Sequence, residues 1–90
     1  MYTYSIEDSA GIYIGKSMQP TWLRWGEHRR RLRSRRHHCA KLQAAWNRYG
    51  ESAFVFKVLQ VLDCEAALNQ AELATIARFR AQGATVYNTR

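Results

Sequence analysis

The sequence predicts an α+β fold: a small three-stranded, mainly antiparallel sheet flanked by helices. Three observations carry this. Residues 2–6 and 11–15 are short runs rich in Tyr and Ile, separated by turn-forming Glu7-Asp8-Ser9-Ala10, which is a hairpin signature. Residues 54–62, "FVFKVLQVL", form a nine-residue β-branched and aromatic run. The segments between and after these runs show apolar residues at helical spacing. All 90 residues are expected to make one domain, 1–90, near the lower size limit for a self-sufficient core.

Taken in order, a hairpin centred on Asp8-Ser9 places Tyr4 opposite Tyr13, and opposed residues share a face. Pro20 opens a helix, with Gln19 or Thr21 as candidate caps. On a helical wheel Trp22, Trp25, Gly26 and Leu32 fall on one side, read as the inner one. Arg24, His28, Arg31 and Arg35 fall on the other. Residues 33–38 read as a basic loop. Leu42, Ala45, Trp46 and Tyr49 mark the inner face of a second helix that Gly50 stops. The run 54–62 is expected to be a buried strand. A long helix follows from Glu65 to Ala81, ended by Gly83, with an apolar stripe of Leu68, Ala71, Ile76 and Phe79. Glu72 falls in the middle of that stripe, where a carboxylate is costly unless paired or metal-bound. Residues 85–88 are expected to add a short extended piece.

The formal net charge is +7, and it is unevenly placed. Nine of the fourteen Lys and Arg residues lie between Arg24 and Arg48, against a single acid, Glu27. Eight of the nine are Arg, whose planar fork suits phosphate oxygens. Such a block points to nucleic acid, with a solvated basic face as the plainer alternative. No apolar run has membrane-spanning length and no secretory leader pattern is present, so an intracellular location, cytoplasmic or nucleoid-associated, is expected. Cys39 and Cys64 give no metal or disulfide spacing, and adjacent His37-His38-Cys39 cannot readily close around one tetrahedral ion.

The stretch "AGIYIGKS", residues 10–17, ends like a phosphate-binding P-loop. That loop needs glycine where Ala10 stands, and "IYI" has strand character. The strand reading leads to a resemblance. Tyr13-Ile14-Gly15 matches the second triplet of the GIY-YIG nuclease domains, and Tyr2-Thr3-Tyr4 falls at the first, with only the final Tyr kept. Arg24 to His28, "RWGEH", is similar to the family's R-W-x-x-H. The stretch 37–50 is similar to its H-x-x-x-K-L-Q-x-x-x-N-K-x-G. Ala71 to Ile76, "AELATI", carries its E-x-x-x-I, and Tyr87-Asn88 its terminal motif.

The resemblance implies a metal-dependent endonuclease that hydrolyses DNA phosphodiester bonds. One Mg²⁺ or Mn²⁺ would sit on Glu72, and one of Tyr4 and Tyr13 would take the proton from the attacking water. Tyr4 is expected to be the base and Tyr13 its partner. A phenol serves as a base only where cations stabilise the phenolate, and Arg24, His28 and Lys16 are the candidates. Arg24 would stabilise the phosphate, His28 would orient a tyrosine or the water, and Asn88 would support the geometry. Lys16, Arg29, Arg31, Arg33, Arg35, Arg36, His37 and Lys41 are expected to contact the nucleic-acid backbone. The substrate is expected to be double-stranded or branched DNA, with RNA left open. Selectivity would be weak, structural, or lent by a homodimer or a targeting partner. One rival reading is a basic adaptor that binds an acidic protein; the nearer one is an inactive nucleic-acid-binding module of the same fold. The presence of Tyr4, Tyr13, Arg24, His28, Glu72 and Asn88 together argues against it.

Overall fold

The computed structural model describes residues 1–89. Strand β1 (Tyr2–Glu7) lies at the centre of an antiparallel sheet, between β2 (Ile12–Ser17) and β3 (Val55–Val61). The β1–β2 register sets Tyr4 opposite Gly15 and Ile6 opposite Tyr13, two residues from the expected pairing. The cause is the turn. The Asp8 N–H donates to the Gly11 carbonyl (3.1 Å) and the Gly11 N–H to Asp8 Oδ1 (2.9 Å), closing the loop around Ser9-Ala10. Moving the turn centre by one residue moves the pairing by two, and an even shift keeps every side chain on its face. Tyr4 and Tyr13 therefore still share a face.

That face packs against α1 (Thr21–Arg33) and α2 (Ala40–Tyr49). Its core joins Tyr2, Tyr4, Ile6 and Tyr13 to Leu32, Leu42, Trp46 and Phe54. The opposite face packs Ile12 and Ile14 against Ile76 of α3 (Glu65–Ala81) and Val86. Each fully buried Leu or Ile contributes about 1.5–3 kcal/mol, so two thin layers are enough to hold three strands.

Helix α1 begins at Pro20, whose carbonyl accepts from the Leu23 and Arg24 amides, and no side chain caps it. Its inner side is rotated from the predicted one, keeping Trp25 and Leu32 but exchanging Trp22 for His28. His28 and Leu32 are buried and Trp25 is half-buried, whereas Trp22 is 73% exposed. The Tyr4 hydroxyl beneath the helix selects hydrogen-bonding neighbours, so Arg24 and His28, on what the wheel reads as the outer side, turn inward. The helix ends in a Schellman motif: the Arg36 amide donates to the Arg31 carbonyl (2.8 Å) and the Arg35 amide to that of Leu32 (3.2 Å). Arg35 takes the left-handed position, φ 61°, that glycine usually fills.

Helix α2 buries Leu42, Gln43, Ala45 and Trp46 and stops at Gly50, φ 85°, while Tyr49 lies exposed rather than on the inner face. Strand β3 is an edge strand, not a buried one. Val55, Val58 and Val61 are largely exposed, because β1 pairs with it on one side only and just Phe56 and Leu59 reach the cores. Helix α3 has the predicted bounds and buries Leu68, Glu72, Thr75 and Ile76. The tail lies along the outer edge of β2: the Ile12 amide donates to Thr85 O (2.9 Å) and the Tyr87 amide to Ile12 O (2.8 Å). Among the described residues no helix is long and apolar enough to cross a membrane.

Candidate active site

The two glycines of "GIYIG" are seats for aromatic rings. A methyl group at Gly15 would overlap the Tyr4 ring, and one at Gly11 would overlap the ring of Tyr87. Glycine is needed at both for close approach, not for phosphate binding. The Tyr4 ring thereby crosses over β2, with Phe56 stacked on it at 4.8 Å between centroids. Lys16 Nζ of the apparent "GKS" donates to Asn69 Oδ1 of α3 (2.5 Å), and Ser17 Oγ accepts from the Gln19 amide (2.9 Å).

The fully buried Tyr4 hydroxyl is the meeting point of the site. Arg24 Nε donates to it at 3.0 Å and His28 Nε2 stands 2.6 Å away. One helical turn separates Arg24 from His28, so both reach the same oxygen. His28 Nδ1 lies 2.7 Å from His37 Nε2, and His37 Nδ1 accepts the Cys39 amide (3.0 Å). The His28, His37 and His38 rings stack at 5.0 and 4.5 Å. Tyr13 presents its ring to all three and its hydroxyl lies 3.1 Å from His38 Nε2. Beside it is a cavity of about 120 Å³ lined by Tyr13, His38, Cys39, Asn88 and Thr89.

Burial lifts the Tyr4 phenol well above its ordinary range, against the opposing pull of Arg24. His28 is pushed down to about 3, first by burial and then by Arg24 and the neighbouring histidines. His37 falls to about 4, by burial and then by His38 and Arg31. His38 is lowered by burial, then by Arg31 and Arg24. All three rings are neutral at pH 7. Below the ordinary histidine pKa of about 6.5 the unfolded chain binds more protons than the folded one, so stability falls as pH falls. It is complete above about 6.5 and is lost as the pH drops toward the folded values near 4 and 3. Thermal melts from about pH 7.5 to pH 4.5 are expected to show a steadily falling Tm; a flat profile would contradict neutral burial of His28 and His37.

The remaining predicted residues divide. Asn88 clamps β2, its Oδ1 accepting the Ile14 amide (2.8 Å) and its Nδ2 donating to the Ile14 carbonyl (2.7 Å). It sets the backbone between Tyr13 and Gly15. His37 is buried in the histidine stack, which corrects its reading as a surface phosphate contact: both ring nitrogens already have protein partners. Arg33 is held in a two-pronged pair with Glu51 (2.5 Å each), and Arg29 lies over the Trp25 ring at 5.4 Å. Arg31, Arg35, Arg36 and Lys41 are exposed around the loop 34–39 and the start of α2. Glu72 is 2% exposed on α3, in the layer that packs against the other face of the sheet.

Sequence reasoning missed two contributors, Gln43 and Cys39. Gln43 accepts the His37 amide on Oε1 (3.1 Å) and donates from Nε2 to the Leu32 carbonyl and Asn47 Oδ1 (2.9 Å each), tying the loop 34–39 to both helices. The Cys39 amide orients His37, and Cys39 Sγ donates to the Tyr87 carbonyl (3.3 Å). The Q-x-x-x-N spacing of Gln43 and Asn47 was the available signal for the first; backbone amides leave none.

The fold agrees with the comparisons. The GIY-YIG catalytic domain matches residues 1–88. The catalytic domain of the homing endonuclease I-TevI superposes with a TM-score of 0.86 at 22% identity, covering 99% of this chain and 97% of that one. A point variant of the same intron endonuclease domain gives 0.84 at 22% identity, covering 98% and 91%. At that identity the likeness shows the fold alone. No curated protein matches at a significant level. The chain belongs to the GIY-YIG nuclease domain family.

Proposed function

We propose that the 90 residues are a single nuclease domain hydrolysing phosphodiester bonds in double-stranded or branched DNA, with one divalent cation and a tyrosine general base. The observation that carries this reading is the convergence of Arg24 Nε and His28 Nε2 on the Tyr4 hydroxyl, with Tyr13 on the same sheet face. An ordinary core tyrosine needs one partner, not a guanidinium and an imidazole together.

Tyr4, as the phenolate, takes a proton from the attacking water, and the resulting hydroxide adds to phosphorus in line with the leaving oxygen. Arg24 leans over the Tyr4 ring, 5.8 Å from its centroid, and is part-exposed, so a guanidinium N–H can reach a non-bridging oxygen. Tyr13, lining the cavity beside His38, orients the water. Arg31, Arg35, Arg36 and Lys41 hold the backbone of the nucleic acid and Lys16 adds charge at the end of β2. Arg29 and Arg33 are already engaged by Trp25 and Glu51 and are secondary.

Among the described residues no three His, Cys, Asp or Glu side chains gather as a ready-made metal cage. A buried carboxylate does stand at Glu72. That donor set fits Mg²⁺ or Mn²⁺, which accept one carboxylate and fill their shell with water and phosphate oxygens. Glu72 would hold such a cation by its carboxylate, and the ion would supply positive charge to offset that of the phosphate and the leaving oxygen.

The test is cleavage of supercoiled plasmid and of a flapped duplex with Mg²⁺, Mn²⁺ or EDTA, by wild type and by Glu72→Ala. Cutting that needs metal and is lost in Glu72→Ala is the expected result. A folded wild type that binds DNA but cuts nothing would leave the binding module as the reading. Cutting that survives the substitution would remove Glu72 from the metal site.

A further inference from the structure

The hydrogen bonds that lead to Tyr4 have a fixed direction. The Cys39 amide can only donate, and it donates to Nδ1 of His37. That nitrogen carries no hydrogen, so a neutral His37 has its hydrogen on Nε2. Nε2 stands 2.7 Å from Nδ1 of His28 and donates to it. His28 in turn carries its hydrogen on Nε2, which stands 2.6 Å from Tyr4 Oη and donates there. Arg24 Nε, also a donor only, reaches the same oxygen. Running the chain the other way would leave one imidazole with no hydrogen at all. Tyr4 therefore receives two donated hydrogen bonds, and none of the described residues accepts its own hydrogen.

We propose that His37 is a positioning residue: held by the Cys39 amide on one nitrogen, it fixes His28 in the tautomer that donates to Tyr4. The proposal rests on the reading of Tyr4 as the base. Two donors and no acceptor favour the phenolate over the phenol, working against burial. The Tyr4 proton leaves to solvent and the phenolate then takes one from water. His28 keeps its own hydrogen throughout and shuttles none. Neutral rings at both positions, with burial holding them near 3 and 4, keep this polarity intact at working pH. Among the described residues, the other charged or titratable groups facing the cluster are Arg24 of α1, with Glu27 3.6 Å from its guanidinium, Arg31 of α1, Tyr2 of β1, Tyr13 of β2, and His38 of the loop. None of them can replace the donor that His37 gives to His28.

Long-range proton–nitrogen spectra of the folded, ¹⁵N-labelled protein at neutral pH read the tautomers directly. Both His28 and His37 are expected to carry hydrogen on Nε2. A hydrogen on Nδ1 of His28 overturns the proposal, whatever the activity. His37→Phe keeps a ring in the stack without a donor, and His37→Gln restores an N–H at similar reach. His37→Phe is expected to lower kcat by about tenfold or more, with KM for DNA unchanged and the ascending limb of the pH–rate profile, which reports the base, moved to higher pH. His37→Gln is expected to recover most of that loss. Equal losses in two folded variants, with no movement of the pH profile, would reduce His37 to a structural residue and sink the idea. If the wild type cuts no DNA, the nuclease reading fails, and the spectra still decide the tautomer.

Discussion

Tyr4→Phe is expected to slow strand cleavage by about 10²–10⁴-fold, the span that a positioned acid or base contributes. The substitution keeps the ring over Gly15 and its stack on Phe56, so packing changes little. What disappears is the oxygen on which Arg24 and His28 converge. The variant also leaves the His28 N–H buried without an acceptor, a cost of about 1–3 kcal/mol, so its Tm must be measured beside its rate. A rate within about threefold of wild type would move the proton abstraction elsewhere, with Tyr13 the first candidate. A depressed kcat with unchanged KM for DNA separates lost chemistry from lost binding.

Gly15→Ala is expected to act on the same centre through space instead of chemistry. The added methyl has no room under the Tyr4 ring, and overpacking of this kind costs about 1–3 kcal/mol. For a chain of this length that corresponds to roughly 4–8 °C in Tm per kcal/mol. The ring has to tilt away from β2, taking its hydroxyl off Arg24 and His28, so activity falls along with stability. A double-mutant cycle isolates the cause. In a Tyr4→Ala background the Gly15→Ala change should cost little, because the ring it collides with is gone. Additive costs would mean that the glycine serves backbone freedom rather than ring clearance.

The sequence made the elements legible because each had a local cause. Gly50 and Gly83 close α2 and α3 where predicted, both with positive φ. Glu72 is as buried as its place in the apolar stripe implied. The errors come from neighbours that no local pattern encodes. The β3 run looks buried by composition, yet its exposure depends on what covers it, and only β1 and two partial contacts do. The α1 wheel placed Trp22 inward because hydrophobicity was the only guide. The inner face was decided by one tyrosine hydroxyl brought from β1, that of Tyr4. Motif spacing named Tyr4, Tyr13, Arg24 and His28 as a group. It said nothing of the order in which hydrogens run between them, which depends on one backbone amide at the head of α2.

The left-handed backbone at Arg35 sets two selection pressures against each other. Glycine there would relieve about 1 kcal/mol of steric cost and leave the Schellman bonds at the end of α1 untouched. A screen for heat resistance alone would therefore choose glycine and discard a positive charge from the crest of the loop. A screen for grip on a polyanion would choose arginine and accept a softer helix end. Directed evolution under the two regimes should diverge first at this codon, which makes Arg35 a marker of which pressure shaped the loop.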